Sequence, residues 1–239
     1  MDSFHSCACN LGAEEDIPRR RRAAYRDVMA IFADRVDAGN RLAAALEVWR
    51  GTDAVVLGIP RGGVVVAAVV ASELGLPLGV AVVRKLGAPE QEEFAVGAIA
   101  DGVRVVDPAA VRASRVTPEQ LAVVEDLERA ELERREGLFR ASPAVAGRTA
   151  IVVDDGIATG ATATAACRAV RARGAARIVL ATPVAPERWR PDAAAADDYV
   201  CVAAARDFWA VGQFYDDFTQ TSDAEVVRLL SRDPGADEE

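Results

Sequence analysis

Short, mainly apolar runs lie at 54–59, 78–83, 151–153 and 177–182, the last framed by Arg177 and Thr182. Runs of this length without polar alternation predict strands buried on both faces, the pattern of a parallel sheet. Helical patterns follow two of them. Residues 64–74 come after the turn Pro60-Arg61-Gly62-Gly63, and an Ala-rich stretch from Ala163 reaches Gly174. A late strand is expected at 199–202, and Ser222 is placed to cap a last helix over 223–230. Such alternation predicts an α/β fold with a doubly wound, mainly parallel sheet flanked by helices.

Other stretches depart from that rhythm. Val28, Ile31, Phe32, Val36, Leu42, Leu46 and Trp49 recur at helical spacing over residues 25–49, with Gly39 expected to divide them into a helix pair or kinked helix over the sheet edge or the active site. Residues 86–94 combine Gly87, Pro89 and three glutamates, which reads as an exposed, movable loop. Residues 95–100 and 103–106 read as a hairpin about Asp101-Gly102. Thr117 and Pro118 form a helix start, and Leu121, Val124, Leu127, Ala130 and Leu138 predict the apolar stripe of a long helix ending near Arg140. One domain is expected over 25–231, after a disordered or loosely attached tail at 1–24 and before a frayed acidic end at 232–239.

Composition narrows the field. A net charge of −9 and a pI near 4.8 argue against a general nucleic-acid binder, and the only basic run, Arg19 to Arg22, reads as a solvated flank. No apolar segment approaches membrane-spanning length and no secretory leader is visible, so a cytoplasmic protein is expected. Cys7, Cys9, Cys167 and Cys201 are too scattered for a disulfide framework, and His5 is the only histidine, which removes most hydrolase triads. His5, Cys7 and Cys9 lack a fourth ligand in view, so no metal site is assigned.

The densest chemistry follows the run at 151–153, where Asp154 and Asp155 stop a buried strand and a small-residue loop leads into a helix. Gly156 and Gly160 permit tight turns, while Thr159 and Thr162 add hydroxyls. Backbone N–H groups and the positive helix end then suit a phosphate, and the carboxylates suit neutral donors such as two ribose hydroxyls. A ribose 5-phosphate is implied. The nucleoside-triphosphate loop fails because Gly156 and Gly160 are too close together and no lysine follows; the dinucleotide fingerprint is absent. At the turn after the first strand, Arg61 between proline and glycines suits an oxyanion.

The stretch Val152-Val-Asp-Asp-Gly-Ile-Ala-Thr-Gly-Ala-Thr162 resembles the phosphoribosyl pyrophosphate (PRPP) loop of the type I phosphoribosyltransferases. The resemblance implies that Asp154 and Asp155 bind the ribose, and that Gly156, Ile157, Ala158, Thr159, Gly160, Ala161 and Thr162 bind the 5-phosphate. Pyrophosphate would meet Pro60, Arg61, Gly62, Gly63, Arg84 and Lys85, with Mg²⁺ travelling on the diphosphate. Asp154, Asp155, Lys85 and Arg61 become the expected catalytic group. The implied reaction transfers 5-phosphoribosyl from PRPP to a nitrogen acceptor, a nucleobase or related heterocycle, releasing pyrophosphate. A small hood would come from residues 25–50 and 205–220, with Trp209, Phe214 and Tyr215 either closing the core or stacking on the acceptor. The helix at 117–140 is similar to the insertion of a bacterial subgroup of undefined acceptor, in which Arg134 or Arg135 would reach phosphate or a second subunit of a homodimer. Two rival classes share these residues: a PRPP-sensing regulator without turnover, and an interaction module built on that helix.

Overall fold

The computed structural model describes residues 30–231 except Glu90, Asp101, Arg140 and Ala141, and leaves the side chains of 91–93 undescribed. The expected tails, the arginine run, His5, Cys7 and Cys9 lie outside the described residues. In chain order the strands are β1 (Val55–Gly58), β2 (Leu78–Val80), β3 (Val83–Ala88), β4 (Gln91–Ala100), β5 (Val103–Val106), β6 (Thr149–Val153), β7 (Arg177–Pro186) and β8 (Asp198–Ala205). The helices are α1 (Arg35–Ala45), α2 (Gly62–Leu74), α3 (Pro108–Ser114), α4 (Pro118–Leu138), α5 (Ala161–Ala172) and α6 (Asp223–Leu230). None of the described helices is long and apolar enough to cross a membrane.

Five strands form the central sheet in the order β2-β1-β6-β7-β8, every neighbouring pair parallel. All of β1 is buried, and alternate residues feed opposite layers. Val55 and Leu57 pack with Ala163, Ala166 and Val170 of α5, whereas Val56 packs with Val66, Val70 and Leu74 of α2 and with Leu42 and Leu46 of α1. Helices therefore cover both faces, as the mainly apolar runs require. From β1 the sheet grows one way to β2 and the other way through β6, so a crevice opens beyond the carboxyl ends of β1 and β6.

A second sheet, antiparallel and ordered β3-β4-β5, replaces what the sequence suggested for 78–94. The expected strand at 78–83 splits: β2 stays in the central sheet and β3 begins at Val83. Residues 86–88 and 91–94 lie in the paired strands β3 and β4 instead of a loop, with irregular register at Leu86/Gly87 and Gly87/Ala88. Leu86, Ala88 and Val96 are buried against Leu121 and Leu132 of α4, which holds the hairpin despite its glutamates. Gly102, at φ 65°, turns β4 into β5 as expected.

Two helices also correct the reading. Gly39 does not divide α1, because the helix runs straight through it. A Cβ there would lie 2.7 Å from Val69 Cβ, so glycine permits α1 to cross α2 closely. Asp34 caps α1 by accepting from the backbone N–H groups of Val36 and Asp37, and the chain before it is extended, with Phe32 bridged to Tyr215. On α4 Thr117 caps the helix and Pro118 opens it as the sequence implied, and Gln120 completes a capping box. Its inward face is different: Leu121 and Leu132 are buried, while Leu127 is 69% and Leu138 44% exposed. Glu125 and Glu128 occupy inward positions, paired with Arg104 and Arg84 at 2.7 and 2.6 Å, so apolar spacing alone selects the wrong stripe.

Two helical glycines should respond oppositely. Gly39→Val should lower unfolding free energy by about 1–3 kcal/mol through overpacking against Val69. Gly137→Ala, whose new Cβ meets open space, should gain up to about 1 kcal/mol from helix propensity. Urea denaturation of both variants checks the pair.

Candidate functional site at the sheet switch point

Hydrogen bonds stitch the strand ends around the crevice. Ile59 N–H donates to Val153 O at 2.8 Å, Asp154 N–H to Ala181 O at 3.2 Å, and Ile157 N–H to Val184 O at 2.9 Å. The β1–α2 turn and the acidic pair are thereby fixed side by side. Their approach depends on two glycines: a Cβ on Gly62 would fall on Asp155 Oδ2, and one on Gly63 would lie 2.7 Å from Val153 O. The Pro60–Arg61 peptide within this turn is cis.

Asp155 is held from three directions. Arg35 Nε donates to its Oδ2 at 2.8 Å, with only 11% of the arginine and 15% of the aspartate side chain exposed. The same guanidinium donates from Nη1 to Thr219 O at 2.8 Å and lies 3.9 Å from the Phe218 ring centroid. Tyr215 donates its hydroxyl to the Asp155 carbonyl at 2.6 Å. Asp154 accepts at Oδ1 from the Asp155 backbone N–H at 3.0 Å.

Burial pushes both carboxyls above the ordinary aspartate range. Asp154 is raised well above it, first by burial and then by the Asp155 charge beside it. Arg35 opposes burial at Asp155, so Asp154 is the carboxyl held further above the ordinary range. Cys167, packed inside α5, has its thiol pushed up to about 12 by burial and is no nucleophile at neutral pH.

The loop from Gly156 to Thr162 ends at the start of α5, where Gly160 adopts φ 79° as the N-cap. Trp189 covers this loop. Its Nε1–H donates to Thr159 O at 3.1 Å, and its ring fills the space a Gly160 Cβ would need. Tyr199 braces the indole edge-on, with centroids 5.3 Å apart. Val211 packs against Gly156 in the same manner.

The basic residues separate. Arg61 is 30% exposed, with Nη1 3.8 Å from Asp223 Oδ1 at the start of α6. Arg84 and Lys85 lie within β3, not at the end of a core strand, and strand alternation sends them apart. Arg84 pairs with Glu128, whereas Lys85 shares the face of Val83, which packs with Ile157 and Ala163. Arg134 and Arg135 are bound to Glu131, and Arg134 also to Asp223, so their charges are engaged within the chain. Arg134 and then Arg135 hold the Glu131 carboxyl down at about 2.

The expected stacking residues separate too. Trp209 is 84% exposed, but Phe214 and Tyr215 are buried with Phe32, Phe208 and Phe218 and close the core. Tyr215 lies 5.3 Å from Phe32 and 5.0 Å from Phe218 between ring centroids, so its faces are covered. Arg35 and Trp189 were not singled out as site residues from the sequence. Arg35 finds its carboxylate 120 positions away, while Trp189 carried one usable signal, an aromatic just beyond a core strand on the acidic edge.

Comparison with known proteins relates this parallel α/β sheet to the phosphoribosyl transferase domain family. The model of that family matches residues 22–219, and the chain belongs to it. It is 50% identical over 209 residues to proteins of two Mycobacterium tuberculosis strains, H37Rv and CDC 1551, named "Putative phosphoribosyl transferase Rv0571c" and "Putative phosphoribosyl transferase MT0597". That match covers 85% of this chain but 47% of those proteins, so the chain spans about half the length of the curated relatives. The crystal structure of TT1426 from Thermus thermophilus is 41% identical with a TM-score of 0.67, covering 83% of this chain and 97% of that one.

The buried pair makes stability depend on pH. A folded-state value raised above the unfolded one gives stability that is full below the unfolded aspartate value and lost as pH rises through the folded one. Asp154→Asn carries no such loss. It should therefore melt at a higher temperature than the wild type at neutral pH, with the gain shrinking as pH falls into the ordinary aspartate range. Thermal melts across pH check this.

Proposed function

We propose that the protein transfers the 5-phosphoribosyl group of Mg²⁺-bound PRPP to a nitrogen of a small acceptor, a nucleobase or related heterocycle, with release of pyrophosphate. The observation that carries this reading is the buried Asp154–Asp155 pair between two anion-suited turns, one opened by Gly62 and Gly63 and the other leading into α5. A lone phosphate would need one such turn. A 5-phosphate and a diphosphate on one sugar need both, with hydroxyl acceptors between them.

In this reading the 5-phosphate takes the N–H groups from Gly156 to Thr162 and the positive end of α5. Asp155 and Asp154 accept from the ribose hydroxyls and lie near the positive charge that develops as the anomeric C–O bond breaks. Arg61 and Lys85 neutralise the departing pyrophosphate, whose oxygens carry Mg²⁺ as part of the substrate. Positioning and leaving-group stabilisation suffice in principle, because pyrophosphate needs no strong protein acid to depart. Trp189 keeps the phosphate loop in shape through Thr159 and Gly160. Trp209, exposed on the hood segment, is the aromatic residue left free to meet a planar acceptor.

Isothermal titration and a pyrophosphate-release assay test the proposal together. The wild type should bind Mg·PRPP and release pyrophosphate with at least one purine, pyrimidine or pyridine acceptor. Binding without turnover across the whole panel would instead favour a PRPP sensor. Asp154→Asn with Asp155→Asn should abolish PRPP binding while circular dichroism stays native, and retained binding would overturn the assignment. Arg61→Ala should weaken pyrophosphate about tenfold or more, equivalent to ~1.4 kcal/mol, and ribose 5-phosphate by less than about threefold.

A further inference from the structure

Arg35 is the cation that the acidic pair has in place before any ligand arrives. It sits at the first turn of α1, directly after the capping Asp34. Its position is unusually constrained. The Nε–H bond to Asp155 Oδ2 at 2.8 Å, the Nη1–H bond to Thr219 O at 2.8 Å and the Phe218 ring at 3.9 Å fix both the plane and the rotation of the guanidinium. Lysine reproduces no such fork, since an ammonium is a point charge without a plane.

On the other side the pair leans on the pyrophosphate turn. A Cβ at Gly62 would fall on Asp155 Oδ2 and lie 2.7 Å from Arg35 Nε. Asp155 is thus clasped between Arg35 and the Gly62 backbone, leaving Oδ1 as the oxygen not engaged by Arg35. Resting on the functional reading above, we propose that Arg35 is a positioning residue of the sugar site, fixing the Asp155 carboxylate against Gly62 and coupling it to the hood segment at Phe218 and Thr219.

The charged and titratable groups around Asp155 support this role. Asp154 on the β6 end favours its ionisation through a side-chain hydrogen bond, Tyr215 from the hood donates to its carbonyl, and Arg61 on the adjacent turn is directed toward Asp223. Asp217, also on the hood, feels the Arg35 charge as well. Arg35 is the cation in direct contact with the carboxylate, and it lowers the Asp155 pKa against burial. Without it, a proton would compete with the ribose hydroxyls for Asp155 at higher pH.

The distinction from a merely structural salt bridge is measurable. Mg·PRPP and Mg·pyrophosphate are titrated calorimetrically into wild type, Arg35→Gln and Arg35→Lys across about pH 5.5–8.5, a window that spans the lower and upper sides of neutrality. Wild-type PRPP binding is read first, since its absence would remove the proposed function itself. Given that binding, Arg35→Gln should lose about tenfold or more in PRPP affinity but less than about threefold in pyrophosphate affinity. Its acid limb for PRPP binding should also move to higher pH. Arg35→Lys should return the acid limb toward the wild-type position while recovering only part of the affinity. Equal PRPP affinities and acid limbs in all three proteins would overturn the role, as would an equal loss of pyrophosphate and PRPP in Arg35→Gln. If Arg35→Gln does not fold, Arg35→Lys decides alone: a PRPP-selective loss supports the role, and wild-type binding refutes it.

Discussion

Crowding at the switch point governs the rest of this molecule. Two carboxylates are buried where a backbone turn passes so close that its residue has no room for a side-chain carbon. Burying an aspartate is unfavourable unless its charge is partnered or its proton retained, and here the two aspartates divide those solutions between them. Asp155 takes a guanidinium, while burial and the neighbouring Asp155 charge favour the neutral form of Asp154. Because the two groups share one small space, the charge state of each depends on the other. The β-sheet supplies the rigid floor on which this arrangement persists.

Around that floor the elements specialise. α2 and α5 bring their N-termini to the two anion-suited turns, and the Trp189 indole maintains the loop before α5. The antiparallel sheet lies to one side, joined to α4 by the Arg84–Glu128 and Arg104–Glu125 pairs. Those pairs are partly exposed and contribute little stability each, but they set the angle between sheet and helix. Lys85 shares the face of Val83 on β3, while Arg84, its neighbour, is turned toward α4.

What could be read from the sequence follows from how local each determinant is. The buried strands announced themselves through mainly apolar runs, and the acidic loop through spacing that rival phosphate loops do not share. The Thr117–Pro118 start of α4 and the Gly102 turn were equally local. Misreadings occurred where a long-range contact overrides a local preference. Gly39 would loosen an isolated helix, yet the approach of α2 requires it. Residues 86–94 have a loop-like composition, yet Leu86 and Ala88 bury themselves on a helix that comes well after them in the chain. For Phe214 and Tyr215 the sequence left core closure and stacking open, and Phe32, from the other end of the described chain, joins them in closing the core. Arg35 had no local signature at all, since its partners are Asp155 and Thr219.

The bond from Arg35 to Thr219 spans 184 positions, and the Phe32–Tyr215 bridge beside it closes a loop of nearly the same size. Such contacts carry a large closure entropy and form late in folding. A ribosome releasing this chain from its amino end would complete the sheet and both phosphate turns while residues around 215–219 were still within the exit tunnel. During that interval Asp155 would lack its cation, and the crevice would lie open along the side that the carboxyl-terminal segment later covers. The arrangement of Arg35 with Asp155 and Thr219 is therefore complete only once residues 215–219 have emerged.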